Sequence, residues 1–170
     1  MNNKTLRVVM AAVLAALVAV FTMFFKVPTG IGYANLGDGV ILFGGLLLGP
    51  VAAVSAGVGS ALADFLLGYP IYIIPTFIVK GVMGLIGGWL LRKRKTTITR
   101  QILVYIVCEL WMVLGYFLAE AFFLPYGVAG AAGSIVSNLM QGAVGVALAL
   151  ALSPARRSIE RALNLGNLNQ

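Results

Sequence analysis

The 170-residue chain has no histidine and a single cysteine, Cys108. A structural zinc site needs about four Cys and His ligands, so none can form. A disulfide within the chain is excluded, and so is any Ser-His or Cys-His nucleophile pair. No Gly-x4-Gly-Lys-Ser/Thr phosphate loop occurs, which excludes nucleotide hydrolysis by that route. No catalytic residue, metal site or cofactor is expected. Charge is scarce as well. The chain is 10% charged and 61% hydrophobic, whereas a soluble domain is roughly 25% charged. A water-soluble globule of this size cannot bury so much apolar surface. A soluble enzyme, a nucleic-acid-binding domain and a disordered regulator are thereby excluded. The solvent for most of this chain is lipid.

What the sequence does have is a series of long apolar runs. Crossing the hydrocarbon core takes ~20 apolar residues. The runs predict an all-α membrane protein with six spans in one integral domain over residues 1–170. The spans fall at about 6–25, 36–48, 51–67, 75–91, 102–123 and 128–152, with a polar tail over 153–170. The first run is too long for a signal-peptide core and no small-x-small cleavage site follows it, so it is read as a span. The second and third spans form a hairpin turned at Gly49-Pro50, a breaker pair. A span over 36–48 reaches only ~20 Å at ~1.5 Å per residue. It is therefore expected to be tilted, shielded, or continued by a structured loop.

Basic residues set the orientation. Lys4 and Arg7 precede the first span, Arg92 to Lys95 and Arg100 lie between the fourth and fifth, and Arg156, Arg157 and Arg161 follow the sixth. Six crossings place all three groups, and both termini, on the cytoplasmic side. The net charge of +7 is thus a topology signal and an anchor for anionic lipid, with no nucleic acid implied.

Ionisable groups at membrane depth are costly and mark function by default. Here they are Asp38, Asp64, Lys80, Glu109 and Glu120. Asn138 and Gln141 share a helix face, as do Glu109, Tyr116 and Glu120. Tyr33, Asn35, Tyr69, Tyr72 and Tyr126 fall in the outside loops. Nearly all these groups lie in the outer half. A channel or proton relay needs polar lining in both halves, whereas a pocket open to the outside does not. Such pockets are mostly apolar and aromatic with a few placed polar groups. Four carboxylates against one lysine favour a cation or a protonatable base. Structural readings stand beside these. Asp38 reads as a cap for the second span, and Asp64 with Lys80 as an ion pair. Glu120 reads as reaching interfacial water, and Asn138 and Gln141 as interhelical hydrogen bonds. Trp89 and Trp111 read as packing residues.

The first span carries Ala11-x3-Ala15-x3-Ala19, a small-residue face. In lipid such faces permit close helix packing. The packing partner is either the chain's own helices or another membrane protein.

The stretches Tyr33-Ala-Asn-Leu-Gly-Asp38, Gly59-Ser-Ala-Leu-Ala-Asp64, Gly68-Tyr-Pro-Ile-Tyr72 and Pro75-Thr-Phe-Ile-Val-Lys80-Gly81 resemble the S components of energy-coupling factor (ECF) vitamin importers. The likeness is to the riboflavin, pyridoxine and hydroxymethylpyrimidine branch, and the alanine stripe is similar to that family's motif on its first helix. The resemblance implies a six-helix substrate-binding subunit in a bacterial cytoplasmic membrane. It implies a transmembrane coupling protein and two cytoplasmic ATPase subunits as partners, with docking through Ala11, Ala15 and Ala19. It implies a lid between the first two helices, including Gly30, Gly32 and Tyr33. Ligand contacts are expected from Asn35, Lys80, Glu109, Tyr116, Glu120, Asn138 and Gln141, with Asp38, Asp64 and Tyr72 either structural or binding. Hydroxymethylpyrimidine or a B6 vitamer is favoured as ligand. The competing reading is a stand-alone secondary transporter or proton-coupled exporter using an intramembrane carboxylate.

Overall fold

The computed structural model of the chain describes residues 3–29, 33–91 and 96–162. The lid glycines Gly30 and Gly32, and the basic run from Arg92 to Lys95, lie outside the described residues. Helix α1 (Asn3–Phe24) leads into a two-stranded ribbon, β1 (Lys26–Pro28) and β2 (Tyr33–Asn35). Helices α2 (Gly37–Leu48), α3 (Ala52–Leu66), α4 (Ile73–Leu90), α5 (Ile98–Phe122), α6 (Gly127–Leu152) and α7 (Arg156–Ala162) follow. Lipid cannot satisfy backbone N–H and C=O groups, so apolar chain in a membrane closes its own hydrogen bonds as helix. Phe77, Leu110 and Val136 accordingly point outward from the bundle.

Among the described residues, five stretches are long and apolar enough to cross a membrane: Lys4–Phe24, Gly37–Leu66, Pro70–Leu90, Ile98–Phe122 and Gly127–Ala162. The second of these doubles back. Gly37, at the start of α2, sits against Thr22 near the end of α1, and Leu47 packs among Leu6 and Met10 near its beginning. Helix α3 runs the other way. Ser55 Oγ donates to Ala11 O at 2.8 Å, and Gly59 closes on Ala15 and Val18. The chain therefore reverses through the 3-10 turn Gly49–Val51, where Gly49 has φ 64°. That left-handed conformation favours glycine. The limbs span only ~18 Å and ~22 Å at ~1.5 Å per residue, short of the ~30 Å hydrocarbon thickness. Helix α2 meets its shortfall inside protein, for every residue in it except Phe43 and Leu48 is buried. The β1–β2 ribbon, antiparallel with Lys26 opposite Asn35, extends the chain above it.

Close approach depends on small residues, as expected where lipid removes the hydrophobic drive between helices. A Cβ at Gly88 would meet Gly49 O at 2.2 Å and Pro50 N at 2.7 Å. A Cβ at Gly84 would meet Ala52 O at 2.9 Å. Met83, Tyr105, Cys108 and Met112 fill the centre with Ile41 and Leu42. The alanine stripe of α1 turns toward α3. Ala19 is buried, while Ala11 and Ala15 are half-buried and, with exposed Ala12, floor an open apolar groove of about 570 Å³ between α1 and α3. Leu6, Met10 and Ile159 gather around Leu47, so the start of α1 and helix α7 share one end of the bundle.

Candidate functional site

The opposite end holds a polar cavity of about 50 Å³, roofed by the ribbon and walled by α1, α3, α4, α5 and α6. Its base is a chain of hydrogen bonds through four elements. Asp38 is the second residue of α2, and Lys80 lies two turns into α4. Their side chains form an ion pair, both deeply buried. Gln141 of α6 donates to the second Asp38 oxygen. The Gln141 Oε1 in turn accepts from the Asn35 backbone N–H at 2.9 Å and from Asn35 Nδ2 at 3.3 Å. Asn35 Oδ1 accepts the Gly37 N–H at 2.8 Å. That bond satisfies an amide at the start of α2 by a short Asx turn.

Two expectations are corrected here. Lys80 pairs with Asp38 rather than Asp64, because Asp38 and Lys80 face each other at the base of the cavity. Asp64, at the end of α3, sits level with the ribbon and accepts from Tyr33 OH. Asp38 does not cap α2 with its side chain, since both its oxygens are engaged by Lys80 and Gln141.

Tyrosines line the upper wall. The Tyr33 and Tyr69 rings lie 5.2 Å apart, and Tyr72 is 6.4 Å from Tyr116 and 6.2 Å from Tyr126. Tyr116 OH shares a 3.0 Å hydrogen bond with Thr76 Oγ1, and its ring lies 5.3 Å from the Lys80 ammonium, within cation–π range. Glu120 accepts from Tyr72 OH at 3.0 Å and from Ser134 Oγ. Tyr33 stands outside the spanning helices. Burial, and then the adjacent Asp64 carboxylate, push its phenol up, so it remains a protonated donor to Asp64.

Of the expected site residues, Asn35, Lys80, Tyr116, Glu120, Asn138 and Gln141 line the cavity. Tyr33, Asp64 and Tyr72 line it too. Asp38 lies behind Lys80 and Gln141. Glu109 is elsewhere, buried between α5 and α6 against Gly142 and Gly145, with neither carboxyl oxygen hydrogen-bonded among the described residues. Sequence reasoning missed Thr22, Ser60, Thr76 and Ser134 as lining groups. Three of them carried a usable signal. Ser60 and Thr76 precede Asp64 and Lys80 by one helical turn, and Ser134 precedes Asn138 likewise, so each shares a face with its charged or amide neighbour.

A helical bundle with outward-facing apolar surface, and a buried polar cavity at one end, defines a membrane protein that binds a small polar molecule. The sequence model described as "ECF-type riboflavin transporter, S component" matches residues 2–157. The chain therefore belongs to the ECF S-component family, which consists of substrate-binding transporter subunits and not of enzymes. It is also 37% identical over 132 residues to a Pyrococcus woesei protein described as an uncharacterized protein in the gap 3′ region, a match covering 76% of this chain and 86% of that one.

Proposed function

We propose that the chain captures an unphosphorylated water-soluble vitamin or precursor, hydroxymethylpyrimidine or a B6 vitamer in preference to riboflavin, from outside the cytoplasmic membrane. In this reading the chain crosses the membrane six times with both termini inside. It works with a transmembrane coupling protein and two ATPase subunits. Asn35, Lys80, Tyr116, Glu120, Asn138 and Gln141 contact the ligand, and Glu109 acts from behind the pocket. Ala11 and Ala15 mark the side of α1 that meets the coupling protein, while Ala19 on the same stripe is buried in the bundle.

The observation that carries this reading is the tyrosine-walled polar cavity at one end of the bundle. The pairing of Lys80 with Asp38 leaves the Asp64 and Glu120 carboxyls without an ion-pair partner among the described residues, which disfavours phosphate esters. The pairing also commits Asp38 and Lys80 to each other, which weighs against their use as carriers by the competing proton-coupled exporter.

The test is mass spectrometry of small molecules released from the gently purified chain, followed by titration of what is found. A pyrimidine or B6 vitamer supports the reading, whereas a flavin supports the importer and overturns the ligand preference. No binding across a vitamin panel, together with ATP-independent flux in proteoliposomes, would replace it with the exporter.

A further inference from the structure

Within the cavity, two buried oxygen atoms, Asp64 Oδ2 and Ser60 Oγ, have no hydrogen-bond partner among the described residues. Both residues are deeply buried, at 4% and 2% exposure, and both line the cavity. They stand one turn apart on the same face of α3. The other Asp64 oxygen is held by Tyr33, which fixes the carboxyl and leaves Oδ2 on the free side.

Burying a carboxylate without a compensating charge is expensive. Among the described residues no cation pairs with Asp64, because the lysine in this cavity is committed to Asp38. A ligand that brings a positive charge to Oδ2 supplies the missing partner. A charge-assisted N–H donor suits that atom better than a neutral hydroxyl. Ser60 Oγ, one turn away, is placed to accept a second donor.

We infer that the Ser60–Asp64 pair recognises a heteroaromatic base bearing a protonatable ring nitrogen next to an exocyclic amino group, with the ring N–H on Asp64 Oδ2 and the amine on Ser60 Oγ. Among the classes proposed above this selects an aminopyrimidine over a pyridine alcohol or a flavin. The inference rests on the vitamin-binding reading and narrows it.

The experiment is calorimetric titration of the full-length chain in detergent with four probes. They are 4-amino-5-hydroxymethyl-2-methylpyrimidine, its 4-oxo counterpart, pyridoxine and riboflavin. The amino compound is expected to bind best, and its 4-oxo counterpart, which offers Asp64 only a neutral ring N–H and has no amine for Ser60, about 10-fold more weakly, the scale of the difference between a charge-assisted and a neutral hydrogen bond. Asp64→Asn is expected to weaken the amino compound by a similar factor, and Ser60→Ala by less. If Asp64→Asn fails to fold, the amino and 4-oxo comparison on the unaltered chain decides alone. Equal affinity for those two probes, or an Asp64→Asn variant that folds and binds the amino compound as well as the parent, overturns the inference. Binding of pyridoxine or riboflavin in preference overturns it too, while leaving the importer reading in place. Binding of none of the four overturns both.

Discussion

At the scale of single residues, the base of the pocket is set by one buried ion pair. Removing one partner of such a pair strands the other charge and costs ~3–5 kcal/mol, whereas replacing both with apolar groups is often far cheaper. Lys80→Met should therefore lower the unfolding midpoint markedly and abolish ligand binding. Lys80→Met combined with Asp38→Leu should recover much of the stability but none of the binding. Thermal unfolding beside ligand titration checks this, and a double variant no more stable than the single one would show that the pair is not coupled. The ionisable residues of the site were legible in the sequence because charge at membrane depth is rare. Their partners were not. Asp38 and Asp64 lie at opposite ends of one hairpin, and nothing in linear order says which of them meets Lys80. Glu109 shares a helical face with Tyr116 in projection. It ends outside the cavity because α6 presents Gly142 and Gly145 at its level, and the carboxyl packs into the space they leave.

At the scale of elements, glycine positions decide how closely helices approach. Gly88→Ala forces a methyl group to 2.2 Å from a backbone carbonyl oxygen, which no side-chain rotation relieves. Overpacking of this kind costs typically ~1–3 kcal/mol. The variant should unfold at a lower temperature than the parent, while Gly133→Ala, where a Cβ meets nothing within 4 Å, should not. Helix α1 permits a sharper separation. Ala12 is exposed in the α1–α3 groove, whereas Ala19 is buried in the bundle. Ala12→Trp should block assembly with the coupling protein and uptake while leaving ligand affinity unchanged. Ala19→Trp should damage both. Co-purification and ligand titration, run in parallel, tell the two apart, and unimpaired assembly of Ala12→Trp would move the docking face elsewhere. The all-helical class was legible because apolar runs in lipid have few alternatives. The ribbon of β1 and β2 was not, since strands of three residues leave no periodic signal, and Lys26–Pro28 is fully exposed.

At the scale of the whole molecule, hydrogen bonds tie the ribbon to the pocket. The cavity holds about 50 Å³, room for no more than a few waters, so a vitamin-sized ligand enters only if the wall moves. Helices α3, α4 and α5 are held together by close backbone approach and buried side chains. The ribbon is held chiefly by polar contacts: Tyr33 to Asp64, and Asn35 to Gln141. Structures held by few buried apolar contacts open at the lowest free-energy cost, which predicts that the ribbon is the part that moves. Gln141 bonds both the ribbon and Asp38, so a ligand reaching the base of the pocket meets the same residue that holds the roof. Asn35→Ala removes the side-chain bond to Gln141 and the cap on Gly37. It should speed both association and dissociation of ligand, and change affinity by less than either rate. Stopped-flow mixing and chase experiments measure the two rates separately. If only dissociation accelerates, Asn35 acts as a ligand contact alone and does not hold the gate. If neither rate moves, the ribbon is not the gate, and the opening must come from the tyrosine wall of α4 and α5.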